Sequence, residues 1–266
     1  PDGVEFILGD CGDEGAIKKI PKRNYDAIFH IAGQSSGEIS FDNPVYDITT
    51  NTVSTLLLLD FALRHDCNRF IYAGTMSVYG MQPEKPVCED IHCYPSSFYG
   101  VGKLASEHYL SIYQSYGIET TSLRLFNVYG PGQNLENLRQ GMVSIYLAQI
   151  FKNGFVEMKG SVDRYRDFIY IADVVKSFMN CLICEDSKNE IINIATGRKT
   201  KVGELVDLCF QLCEKKPDLR ISGSTSGDMQ GIFADINKMK EILNVSKTLP
   251  LELGLESMIK WMRAIS

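Results

Sequence analysis

Tyr99 and Lys103 stand four positions apart in SFYGVGKL. On a helix, residues i and i+4 share a face one turn apart. A free tyrosine ionises near pH 10, too high for a base at neutral pH. An ammonium beside it stabilises the phenolate and is predicted to lower that value. The pair then becomes a general acid/base that can take a proton from a hydroxyl and return it. The chain holds 13 tyrosines, so an exposed helix pair is the plain alternative. Upstream, RFIYAGT ends an apolar run with Thr75, a hydroxyl expected at the carboxyl edge of a sheet or, alternatively, a turn cap. Thr75, Tyr99 and Lys103 would together form a hydroxyl–tyrosine–lysine set.

A second stretch has the spacing of a phosphate loop. Gly9, Gly12 and Gly15 form G-x-x-G-x-x-G between a strand-like and a helix-like run. A pyrophosphate cradle needs free backbone N–H groups and a positive helix end. Here Asp10, Asp13 and Glu14 would repel a diphosphate, and the next strand ends in Ala32-Gly33 without an acidic ribose ligand. The stretch reads instead as a turn out of a strand, with acidic residues starting a short helix.

Strand-like runs alternate with helical ones. VEFILGD, YDAIFHIAG, RFIYAGT and ETTSLRLFNVYG read as strands; EGAIKKI, Asn43 to His65 and Ser97 to Tyr116 read as helices. Apolar strands separated by helices mean a parallel sheet covered on both faces, a doubly wound α/β fold. Such folds bind ligands at the carboxyl ends of their strands. After Gly130 the pattern loosens: a loop, the helix MVSIYLAQIFKN closed by Gly154, a strand–helix unit RDFIYIADVVKSFMNCLI, the strand EIINIAT, then mixed elements. The expected organisation is a Rossmann-like domain over 1–130, with 165–196 partly returning to it. A smaller interleaved substrate subdomain over 131–164 and 197–266 completes it.

The 266 residues carry a net charge of -6 without a basic cluster, which argues against a nucleic-acid partner. No apolar run reaches about 18 residues, so no membrane span is expected. The first residue is Pro1, and no signal peptide opens the chain. The eight cysteines lack zinc spacing, and Cys181, Cys184, Cys209 and Cys213 sit in apolar helical runs. They read as reduced core cysteines in a reducing, cytoplasmic compartment, with no metal.

With these pieces assembled, the sequence resembles the extended short-chain dehydrogenase/reductases, in their NAD-dependent nucleotide-sugar epimerase/dehydratase branch, of the UDP-glucose 4-epimerase type. The likeness runs from residue 4 almost to the end, through GD at Gly9-Asp10, FHIAGQSS, Asn51 in TTNTVSTLLLL, AGTMSVYG, SFYGVGK, LRLFNVYGPGQ, RDFIYIADVV, NIATGRKTKVGELV and GDMQGIFADINKMKEIL. It implies that GD ends the third strand of the fold, and that the true glycine loop lies about 50 residues earlier. This chain would then lack its first βαβ segment. It also implies roles. Asp10 and Cys11 would flank the adenine of NAD. Ile31, Ala32 and Gly33 would approach its phosphates and ribose. Asn51 and Ala73 would support the cofactor, and Phe126 would line the nicotinamide. Asn127 and Arg166 would hold the sugar nucleotide's diphosphate; the plain alternative for Arg166 is a salt bridge with Asp167. Thr75, Tyr99 and Lys103 would act at sugar C4, Lys103 also holding the nicotinamide ribose. A homodimer built on helices 43–65 and 97–116 is implied; the alternative is that both merely cover the sheet of a monomer.

Two departures narrow this reading. Where resembling dehydratases place Asp and Glu after the hydroxyl residue, this chain has Met76 and Ser77, which cannot protonate a leaving hydroxyl. Where many members carry a second diphosphate arginine, it has Thr225-Ser226-Gly227-Asp228, leaving Arg198 or Arg220 as substitutes. The expectation is epimerisation of a nucleotide-diphosphate sugar at C4 through a 4-keto intermediate. The alternatives are an NAD(P)H-dependent 4-ketoreductase or dehydratase, and a catalytically incomplete fragment. The sugar, the base and NADP in place of NAD stay open.

Overall fold

The computed structural model describes residues 3–223 and 230–265. It opens with α1 (Glu14–Ile17), β1 (Ile28–His30) and α2 (Pro44–Ile48). A π-helical turn (Thr49–Val53) leads from α2 into α3 (Ser54–Arg64). There follow β2 (Arg69–Thr75), α4 (Phe98–Gln114), β3 (Glu119–Leu125), β4 (Asn127–Tyr129), α5 (Met142–Asn153) and β5 (Val156–Lys159). Then come β6 (Tyr165–Arg166), β7 (Phe168–Tyr170), α6 (Ile171–Ile183), β8 (Glu190–Ile194) and β9 (Thr200–Lys201). The chain closes with α7 (Val202–Leu212), β10 (Leu219–Ser222), α8 (Asn237–Leu243) and α9 (Leu251–Ile265).

The main sheet is parallel, in the order β1-β2-β3-β8. All seven residues of β2 are buried, and alternate side chains enter different cores. Phe70 and Tyr72 pack with Leu59, Phe61, Ala62 and Leu110 of α3 and α4. Ile71 and Ala73 pack with Val174 and Phe178 of α6 and with Met239 and Leu243 of α8. Coverage of both faces is why these strands read as continuous apolar runs. A third core joins α5, α7 and α9 through Leu147, Ile150, Phe210, Leu255 and Met258. Cys181 lies in the second core, and Cys209 and Cys213 in the third.

Two expectations fail here. VEFILGD is not a strand: residues 4–10 are irregular, with Phe6 85% and Leu8 81% exposed. A strand is stable only with a hydrogen-bonded neighbour, and β1 pairs with β2 alone. ETTSLRLFNVYG is not one strand but two. At Phe126 the amide still bonds Ile194 O (3.1 Å), whereas the Asn127 amide turns to Asp167 O (3.0 Å), and β4 pairs with β7 outside the main sheet. This switch carries Asn127 away from the sheet edge and over the site.

Candidate active site

Two local caps assemble the triad. Thr75 Oγ1, at the end of β2, accepts from the Ser77 amide at 3.2 Å and starts the turn Met76–Val78. Ser97 Oγ accepts from the Gly100 amide at 3.1 Å and starts α4, which puts Tyr99 in its first turn and Lys103 one turn later. Gly100 permits the approach, since a Cβ there would lie 2.6 Å from the Ser77 carbonyl oxygen. Thr75, Tyr99 and Lys103 line a cavity of about 1030 Å³ with Ile31, Ala73, Phe126, Asn127 and Arg166. It opens at the carboxyl end of the sheet.

The electrostatics correct one expectation. Tyr99 is not lowered; it is pushed up to about 12, first by burial, with Asp47 adding to the rise and a hydrogen bond with Thr75 opposing it. Lys103 is pulled down to about 8 by burial, with Asp47 and Glu107 opposing. Its Nζ donates to Ala73 O at 3.0 Å and lies 4.6 Å from the Tyr72 ring centroid but 5.9 Å from that of Tyr99. Desolvation is the largest effect on both groups.

The remaining expected residues divide. Gly33 has φ +141°, and a Cβ on it would lie 2.5 Å from Asn51 Oδ1. Asn51 is fully buried in the π-helical turn; its Nδ2 donates to Gln34 O (3.0 Å) and Asp47 Oδ1 (3.3 Å), while Oδ1 has no partner. A side-chain-free turn beside an unpartnered acceptor fits the ribose end of a dinucleotide. Ala32 is exposed on the same loop and does not line the cavity. Asp10 and Cys11 line a separate pocket of about 290 Å³ with Ile17, Ile20 and Tyr25. Around them the glycine amides are taken: Gly12 N donates to Asp10 Oδ1 at 2.8 Å and Gly15 N to Asp13 Oδ1 at 2.9 Å. Carboxylates occupy the donors a diphosphate would need, and the four-residue α1 that follows is capped by Asp13. The phosphate end of a dinucleotide does not fit this turn.

Arg166 is buried, with Nη1 donating to Tyr165 O at 2.8 Å. It does not take its neighbour as expected under the plain alternative. Asp167 instead accepts from the Thr196 amide and hydroxyl (2.8 and 2.6 Å), the Gly197 amide (2.8 Å) and the Ala234 amide (3.3 Å). That carboxylate locks three loops together. Arg198 turns toward Glu252 and Arg220 toward Asp218, and neither lines the cavity. Arg139 and Arg164 do, unforeseen, because the loops that carry them show no motif. Residues 225–228 lie outside the described residues. Asp47, whose Oδ1 accepts from Gln34 Nε2 and Asn51 Nδ2, carries no motif in the sequence, since a lone helical carboxylate reads as a surface group.

The model of the NAD dependent epimerase/dehydratase family matches residues 1–195. A Methanocaldococcus jannaschii protein provisionally named UDP-glucose 4-epimerase is 32% identical over 262 residues, covering 98% of this chain and 84% of that protein. The crystal structure of Thermotoga maritima UDP-glucose 4-epimerase with UDP-glucose is 30% identical, with TM-score 0.90 over 97% of this chain and 84% of that one. The Thermus thermophilus UDP-glucose 4-epimerase complex with NAD is 26% identical, with TM-score 0.90 over 100% and 87%.

Proposed function

The chain belongs to the NAD dependent epimerase/dehydratase family, and we propose that within it the protein inverts C4 of a nucleotide-diphosphate sugar through a 4-keto intermediate. The observation that carries this reading is the convergence of Thr75, Tyr99 and Lys103 on one cavity, with Met76 rather than a carboxylic acid beside them. A buried phenol and ammonium can move a proton; the thioether beside them cannot eliminate water. NAD, when bound, accepts and returns the C4 hydride and adds positive charge to the site.

Thr75 holds the reacting oxygen, and Tyr99 Oη takes the 4-hydroxyl proton and gives it back. Lys103 supplies the fixed positive charge that a phenolate raised to about 12 by burial requires. Gly33, Asn51, Ile31, Ala73 and Phe126 would hold the nicotinamide half of the cofactor. Arg166 and Asn127 would hold the sugar's diphosphate, a guanidinium suiting phosphate oxygens. Residues 1–130 with 165–196 form the cofactor half in this reading, and 131–164 with 197–266 the substrate half. The α5–α7–α9 core supports that division, while Tyr129 and Phe168 join the same core and α8 packs under the main sheet, so the two halves interleave. A homodimer is part of the proposal, supported by exposed Val45, Tyr46 and Ile48 on α2 and Val101 and Ile112 on α4; light scattering that returns a monomer mass removes it.

The test is Tyr99→Phe with UDP-galactose as substrate. Turnover falls by about 10²–10⁴-fold while cofactor affinity holds. Near-wild-type turnover would remove Tyr99 as acid/base. Stoichiometric NAD(P)H consumption by the wild type on a 4-keto nucleotide sugar would make it a ketoreductase instead.

A further inference from the structure

Five buried side-chain polar atoms among the described residues have no partner, and four of them, on His30, Asp47, Asn51 and Tyr72, belong to one network beneath the triad. Its centre is Asp47, a carboxylate only 1% exposed. Oδ1 accepts from Gln34 Nε2 at 2.6 Å and Asn51 Nδ2 at 3.3 Å. Oδ2 has no partner and faces α4: a Cβ on Gly102, next to Lys103, would lie 3.7 Å from it. A buried carboxylate with one lone oxygen is costly unless a positive charge answers it. Lys103 is the buried cation on that helix.

Resting on the function proposed above, we propose that Asp47 is a positioning residue: it ties Gln34 and Asn51 beneath Gly33 and holds Lys103 in its charged form. The other groups around Lys103 do not replace it. Tyr72 lies below as a buried phenol raised by desolvation. His30 is held neutral at about 3, chiefly by burial, and bonds Thr55 and Ser54. Tyr99 is itself raised by burial. Glu107 also favours the Lys103 charge, but its carboxylate is already bound by Arg124 Nη2 at 2.7 Å and by Ser122 at 2.9 Å. Among the described residues Asp47 makes no ion pair; burial raises its carboxyl, and the charge of Lys103 across the gap opposes that rise.

The experiment reads Lys103 directly. Carbon-13 at the lysine ε position is titrated by NMR, with Lys103→Arg assigning the signal, in the wild type, Asp47→Asn and Asp47→Glu. In Asp47→Asn the Lys103 midpoint falls by about one pH unit, and Asp47→Glu restores it. The alkaline limb of kcat follows the same shift, while KM for the sugar nucleotide moves less than about twofold. An unchanged midpoint in folded Asp47→Asn overturns the proposal. If that variant does not fold, Asp47→Ser is read in the same way; failure of both assigns Asp47 to the fold and likewise overturns it. The titration needs no turnover, so an inactive wild type would remove the epimerase reading and leave this result standing by itself.

Discussion

Residues 4–10, VEFILGD, and 69–75, RFIYAGT, are alike in composition and end in opposite states. In β2, Phe70, Ile71 and Tyr72 are wholly buried, between two paired strands and under helices on both faces. In residues 4–10, Phe6 and Leu8 face solvent. Strand propensity is the same local property in both. What differs is the neighbour, which satisfies the backbone and covers the side chains. The same contrast separates the two candidate sites. The set at the end of β2 inherits a rigid frame, whereas the glycine turn after residue 8 closes on its own aspartates.

The contrast is broken most directly by truncation. Ile71→Ala, in the core under β2, is expected to cost about 2–5 kcal/mol in urea denaturation, and Phe6→Ala less than about 0.5 kcal/mol. Equal losses would mean that residues 4–10 are packed in solution. Thr75→Val tests whether the frame serves chemistry. Removing that hydroxyl should lower kcat by about 10–100-fold, with the melting temperature shifted by only a few degrees.

β1 is the intermediate case, three residues long and paired on one side, and its His30 gives a pH signature. Burial lowers His30 to about 3 from an ordinary value of 6.5. Between those values the unfolded chain binds a proton that the folded protein does not, so stability rises with pH across this window. His30 therefore contributes fully above about pH 6.5, and its contribution is lost as pH falls toward 3, at up to about 1.4 kcal/mol per unit. His30→Gln should flatten that slope in denaturation measured from pH 4 to 7; an unchanged slope assigns it to other groups. The smallest effect belongs to the glycine turn. Gly15→Ala places a Cβ 3.3 Å from Asp13 Oδ1 and should change stability by no more than about 1 kcal/mol and NAD affinity by less than twofold. A large loss of NAD affinity would make that turn a phosphate loop after all.

Much of this was legible along the chain. Apolar runs marked β2, β3 and β8, and the four-residue spacing put Tyr99 and Lys103 on one face of α4. The acidic character of the Gly9–Gly15 turn pointed to carboxylates rather than phosphate, and Asp10 and Asp13 take its Gly12 and Gly15 amides. These are properties of neighbours in sequence, governed by local sterics, periodicity and charge. The structure alone decided whether residues 4–10 have a strand to pair with. It also broke ETTSLRLFNVYG at Phe126, directed Asp167 to the Thr196-Gly197 turn and to Ala234 rather than to Arg166, and buried Asp47 against Gly102. Above all it decided the charges. Spacing predicted a lowered Tyr99, but desolvation depends on every chain segment that closes over a group, and here it raised the phenol and lowered the lysine.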